Sequence, residues 1–172
     1  VQDALWLIGI LKQNLISADD FAIQAGGSGN GKLEDLADIY RLYAAIQERR
    51  RVWDFRDVIS RCYTLLRDDH DLRRELSQKF RQVIVDEYQD VDGAQVAFLD
   101  MLTSEHQPVR RLAVVGDPNQ SIYAFRGTLP SYLESDWQFG GETVRLRENY
   151  RSFGPVLEAS DRLLQRYELA LP

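Results

Sequence analysis

The sequence predicts an α/β protein, with a parallel sheet and flanking helices following a mainly helical N-terminal region. Three observations predict it. Apolar residues across 1–80 recur at helical spacing. Two short apolar runs, Val83-Ile84-Val85 and Leu112-Ala113-Val114-Val115, each lead into acidic residues. An amphipathic helical stretch lies between them, and strands that alternate with helices indicate a parallel sheet covered on both faces.

The elements follow in order. Residues 1–24 read as helix, because Leu5, Ile8, Leu11, Leu15 and Ile16 share one face. Residues 25–31 read Ala-Gly-Gly-Ser-Gly-Asn-Gly, a glycine-rich flexible loop or linker. Helical periodicity returns over 32–50 through Leu33, Leu36, Ile39, Tyr40, Tyr43 and Ile46. Arg49, Arg50 and Arg51 then suit a solvated helix C-terminus, where cations are favoured. Further helices are expected over 54–67 and 71–79. Beyond them come strand 83–85, helix 94–104 and strand 112–115. A third strand over Thr143–Leu146 and a last helix over Val156–Tyr167 complete the pattern. The expected division is a mainly helical segment over 1–80 and an α/β segment over 81–172.

Composition narrows the function. The 172 residues carry a formal net charge of −6, which argues against a protein that coats DNA through bulk positive charge. A groove that stacks bases on aromatic rings needs only a few local cations. One cysteine, Cys62, excludes an internal disulfide and a cysteine-rich zinc site, and fits a reducing, cytoplasmic setting. His70 and His106 stand apart without metal-ligand spacing. No apolar run approaches the roughly 18 residues of a membrane span, so no membrane partner is expected.

Three stretches carry chemistry. In Val83-Ile84-Val85-Asp86-Glu87-Tyr88-Gln89-Asp90 a strand delivers two adjacent carboxylates. Ligands of open α/β sheets bind at the carboxyl ends of strands. Nucleotide hydrolysis needs a carboxylate near the metal and a group that orients water. Asp86 suits the first role and Glu87 the second; a merely solvated acid pair is the plain alternative. In Gly116-Asp117-Pro118-Asn119-Gln120-Ser121-Ile122-Tyr123-Ala124-Phe125-Arg126-Gly127, Asp117 and Gln120 suit a phosphate. Tyr123, Phe125 and Arg126 either stack on bases, at ~1–3 kcal/mol per base, or pack under the sheet. In Leu146-Arg147-Glu148-Asn149-Tyr150-Arg151-Ser152, Tyr150 suits a purine ring and Arg151 a γ-phosphate, where an arginine supplies ~10³–10⁵ in rate. For an isolated pair of this kind, a surface arginine in an ordinary ion pair is the favoured reading.

Taken together, these strings resemble motifs II, III and IV of superfamily 1 DNA helicases of the UvrD/PcrA/Rep type: VDEYQD, GDPNQSIYAFRG and LRENYRS. Upstream, Val52 to Val58 is similar to the family's LDFDDLL stretch, and Asn14 to Phe21 to its LISPEDF stretch. The resemblance implies a RecA-like core that uses ATP and Mg²⁺ and moves on single-stranded DNA and single-strand/duplex junctions. It implies that Asp86 binds magnesium and Glu87 activates water. Gln120 would sense the γ-phosphate, with Asp117 beside it. Tyr123, Phe125 and Arg126 would contact single-stranded DNA; many members have tryptophan where Phe125 stands. Tyr150 would stack on adenine, and Arg151 would contact the γ-phosphate.

One run competes for the phosphate-binding role. Gly26 to Lys32 fits G-x-x-x-x-G-K but ends in Leu33, not the hydroxyl residue that ligates magnesium. No convincing strand precedes it, and by resemblance it aligns inside the helical insert. The expectation is therefore a segment of an ATP-dependent helicase, inactive alone for want of the phosphate-binding loop and of the parent chain's other domains. Three alternatives remain at this point: a helicase-nuclease of the RecB/AddA kind, a small P-loop NTPase using Lys32, and a non-catalytic module in which the motifs serve only as an interaction scaffold.

Overall fold

The computed structural model describes residues 2–103, 112–121 and 142–168. The chain divides into two compact units, Val1–Phe139 and Gly140–Pro172. In the first unit the helices are α1 (Gln2–Gln13), α2 (Ala18–Gly26), α3 (Gly31–Arg50), α4 (Phe55–Asp68), α5 (His70–Lys79) and α6 (Gly93–Thr103). Strands β1 (Val83–Val85) and β2 (Leu112–Val114) flank α6 in sequence. The second unit contributes α7 (Gly154–Glu168). Among the described residues, no helix is long and apolar enough to cross a membrane.

The helix expected over 1–24 is two helices. Leu15 takes a left-handed φ of 58°, which breaks the helical ladder. Ser17 then caps α2, accepting the Asp20 amide at 3.1 Å, with Asp19 and Asp20 set against the positive end of the helix. The glycine tract is a tight turn between α2 and α3. Gly29 sits at φ 65°, and Asn30 caps α3 by accepting the Lys32 amide at 3.1 Å. Gly26 and Gly31 are helical.

Two cores form in this unit. Ile8, Leu36 and Tyr40 gather Ala4, Leu11, Ala18, Phe21 and Tyr43 around them. The Tyr40 hydroxyl donates to the Ile16 carbonyl at 3.1 Å, so the link that breaks the helix is tied to α3. Asp54 starts α4 with a reciprocal capping box to Asp57. The second core is Tyr88, Val91, Val96 and Leu99, covered by Val83, Val85 and Val114 from the strands.

β1 and β2 pair in parallel, with Val83 opposite Leu112, Ile84 opposite Ala113 and Val85 opposite Val114. α6 therefore belongs to a strand–helix–strand unit, as expected. The expectation of a sheet covered on both faces fails among the described residues. Val83 and Val85 turn toward the α6 core, while Ile84 is 71% exposed and Val115 51%. The third strand expected over Thr143–Leu146 is not formed either. Residues 142–149 take no regular structure, and Val144 and Leu146 are exposed. A strand needs a ladder partner for its amides and carbonyls, and within its own unit the regular element among the described residues is helix α7.

Candidate functional site

The site begins where β1 ends. Val85 accepts the Val115 amide at 2.8 Å, and two residues later the chain turns sharply. The turn is made at Glu87, whose φ 53°, ψ 42° is left-handed, a conformation uncommon for a residue with a side chain. The reversal returns the Tyr88 amide to the sheet, where it donates to the Val115 carbonyl at 2.9 Å. Tyr88–Asp90 then forms a single 3₁₀ turn. Held backbone outliers of this kind gather at functional sites, and this one carries a carboxylate singled out from sequence.

Asp86 and Glu87 are both exposed at the strand end. Asp86 Oδ1 accepts the Glu87 amide at 2.9 Å, which pins the carboxylate to the turn and leaves its second oxygen outside that bond. Glu87 Oε2 accepts the Gln89 Nε2 at 2.6 Å. Gln89 is 1% exposed and its Oε1 accepts the Asp117 amide at 3.0 Å. Its one amide thus joins the turn after β1 to the turn after β2. Sequence reasoning missed Gln89; the signal would have been a two-sided polar side chain directly behind a strand-end acid pair.

Asp117 leads into the 3₁₀ turn Pro118–Gln120, accepting the Asn119 amide at 3.0 Å and the Gln120 side-chain amide at 2.9 Å. Ser121 Oγ lies 3.5 Å from Asp90 Oδ1, a weaker second tie between the two turns. The structure therefore brings Asp86, Glu87, Asp117 and Gln120 to the carboxyl ends of two paired strands. Tyr123, Phe125 and Arg126 lie outside the described residues.

Tyr150 and Arg151 belong to the second unit and are described within it. Both are exposed. The Tyr150 hydroxyl donates to the Glu148 carboxylate, and that bond holds the phenol above its ordinary value. Asn149 Oδ1 accepts the Arg151 amide at 2.9 Å and the Ser152 amide at 2.8 Å, a turn that introduces α7.

The Gly26–Lys32 run is not built as a phosphate loop. Such a loop joins a strand to a helix, whereas helix α2 precedes this one. Its polar groups are spent on the turn: Ser28 Oγ donates to the Ala25 carbonyl at 2.6 Å and accepts the Asn30 amide at 3.2 Å. That geometry leaves Lys32 at the start of a helix–turn–helix and not in a phosphate loop.

Residues 2–138 match the family described as the UvrD/REP helicase N-terminal domain. The chain is similar to the ATP-dependent DNA helicase PcrA of Leuconostoc citreum, 32% identical over 171 residues, which is 98% of this chain and 22% of that protein. It is similar to the ATP-dependent DNA helicase Rep of Escherichia coli (strain K12), 34% identical over 145 residues, 82% of this chain and 21% of that one. It also resembles an ATP-dependent helicase/nuclease component of Latilactobacillus sakei, 40% identical over 119 residues, 64% of this chain and 13% of that one. The chain thus spans between 13% and 22% of the length of these relatives.

Proposed function

The chain belongs to the UvrD/REP helicase N-terminal domain family, and from that premise we propose that it is the hydrolytic and coupling part of an ATP-driven motor on single-stranded DNA. One observation carries the reading: the acid pair Asp86-Glu87 and the Asp117–Gln120 turn share one end of a parallel strand pair, joined through Gln89. Ligands of open α/β sheets bind at that end.

In this reading the β1–α6–β2 unit belongs to a RecA-like core whose remaining strands extend the sheet at its edges. The division of the chain into a helical insert-like segment over 1–80 and a core segment over 81–172 is part of the same proposal. The donors suit a hard cation. Magnesium is held by one or two carboxylates together with phosphate oxygens and waters, and Asp86 is an exposed carboxylate at a fixed strand end. Bound there, the ion would neutralise charge on the transferring phosphate. Glu87 holds and orients the attacking water. Gln120 leaves Asp117 to meet the γ-phosphate. Tyr123, Phe125 and Arg126 contact the DNA strand, at single-strand/duplex junctions as well. Tyr150 stacks on adenine and Arg151 contacts the γ-phosphate. The phosphate-binding loop comes from elsewhere in the parent protein, and the segment alone hydrolyses no ATP.

Glu87→Gln in the full-length protein tests the assignment. DNA-stimulated ATPase should fall by roughly 10²-fold or more while Mg-ATP still binds; an ATPase equal to wild type rejects it. The 40% identity to a helicase/nuclease component favours a second reading, in which the parent motor also carries a nuclease. Nuclease activity of the full-length protein separates the two.

A further inference from the structure

We propose that Gln89 is a positioning residue for Glu87, holding the water-activating carboxylate in register with the turn that follows β2. The inference deepens the proposed function and rests on its assignment of Glu87. Three observations carry it. The side chain is buried at 1% exposure, so its amide has no water to fall back on. Its two ends meet groups of opposite hydrogen-bonding character. Nε2 donates to Glu87 Oε2 at 2.6 Å, and Oε1 accepts the Asp117 amide at 3.0 Å. Glu87 itself stands on a left-handed backbone that a floppy side chain would not require.

The amide orientation is fixed by chemistry. A carboxylate only accepts and a backbone amide only donates. Turning the Gln89 amide over would set oxygen against carboxylate and N–H against N–H. One end therefore grips Glu87 while the other grips the backbone of Asp117, beside Gln120. Glu87 has the freedom of an exposed side chain except for this bond. A shift of the Asp117–Gln120 turn is passed to the carboxylate through a single rigid amide.

A plain structural role would be to satisfy the part-buried Asp117 amide. Two substitutions in the full-length protein tell these apart. Gln89→Met keeps the volume and removes both bonds. Gln89→Glu keeps the acceptor for Asp117 and replaces the neutral donor to Glu87 with a second carboxyl group. Both should lower kcat for DNA-stimulated ATP hydrolysis by roughly 10- to 100-fold with KM for ATP within about twofold. Thermal melting checks that each variant is folded, and either one alone suffices for the test. Wild-type kcat in a folded Gln89→Glu or Gln89→Met protein overturns the proposal. In a Glu87→Gln background, adding Gln89→Met should lower kcat no further; a loss that multiplies the two single effects also overturns it. Failure of the parent reading shows differently, as Glu87→Gln alone with wild-type ATPase.

Discussion

Lys12 Nζ lies 2.6 Å from Asp57 Oδ1, an ion pair between α1 and α4 with side chains 6% and 9% exposed. The same ammonium reaches Asp54 at 2.7 Å and Gln47 Oε1 at 3.0 Å, and sits 4.7 Å from the centre of the Tyr43 ring. Gln47 Nε2 completes the set by donating to Asp57 at 2.6 Å. A buried charge is tolerable when its partners are this complete, and removing one partner strands the others. Lys12→Met should therefore destabilise the protein by about 3 kcal/mol, because Asp57 remains buried without its cation. Urea unfolding followed by circular dichroism reads this out, and a change under about 0.5 kcal/mol would contradict it.

Asp54 gives this network an acid limit. Burial pushes its carboxyl upward, but hydrogen bonds from Lys12, Tyr43 and the Asp57 backbone outweigh burial and hold it at about 2, against an ordinary 3.8. A carboxylate held down in the folded state contributes stability above its unfolded value and loses it as pH falls through the folded value. A third of this side chain is exposed, so solvent screening reduces the contribution to about 1 kcal/mol. The loss should fall between about pH 4 and about pH 2. Asp54→Asn keeps a competent helix cap and should flatten the stability curve over that window. The alkaline side carries the same kind of limit. Burial pushes Tyr40 and Tyr43 up to about 12 from an ordinary 10.0, with Asp57 and Asp54 adding to it. Their contribution is present below about 10 and fades toward about 12.

Arg51 ends α3 in the left-handed region, at φ 53°, ψ 43°, with its amide returning to Gln47 and Glu48. The Val52 amide also returns to Gln47, at 3.1 Å. Glycine suits this position because it has no Cβ to crowd the carbonyl. Arg51→Gly should stabilise the protein by about 0.5–1 kcal/mol in thermal melts. Destabilisation would mean that the exposed arginine side chain makes contacts worth more than the backbone strain.

Residue patterns disclosed the helices because each amphipathic face is local. The break at Leu15 was hidden because the apolar period runs on through Leu15 and Ile16, although Ser17 three residues before Asp20 is a cap signal. The missing strand over Thr143–Leu146 shows the limit of reading a strand from a short local run, since a strand exists only with a neighbour. Asp86, Glu87, Asp117 and Gln120 were legible because both strands deliver polar groups at their ends. Gln89 was not, since its partner Asp117 is 28 residues away and meets it only through the β1–β2 register. Lys12 was overlooked for the same reason: its partner Asp54 is 42 residues distant, and a lysine on an amphipathic helix ordinarily reads as solvated.

The glycine turn gives the last test. Lys32 has the spacing of a phosphate-binding lysine, yet it opens α3 beyond a helix, with its amide already taken by Asn30. A phosphate cradle needs backbone amides free to point inward at the end of a strand. Lys32→Ala in the full-length protein should therefore leave kcat and KM for ATP within about twofold of wild type. Mg-ATP binding by this segment alone, measured by calorimetry, should be too weak to resolve with or without the substitution. Tight binding that disappears in Lys32→Ala would restore the turn as a nucleotide site, and would move the phosphate grip from the rest of the parent protein into this chain.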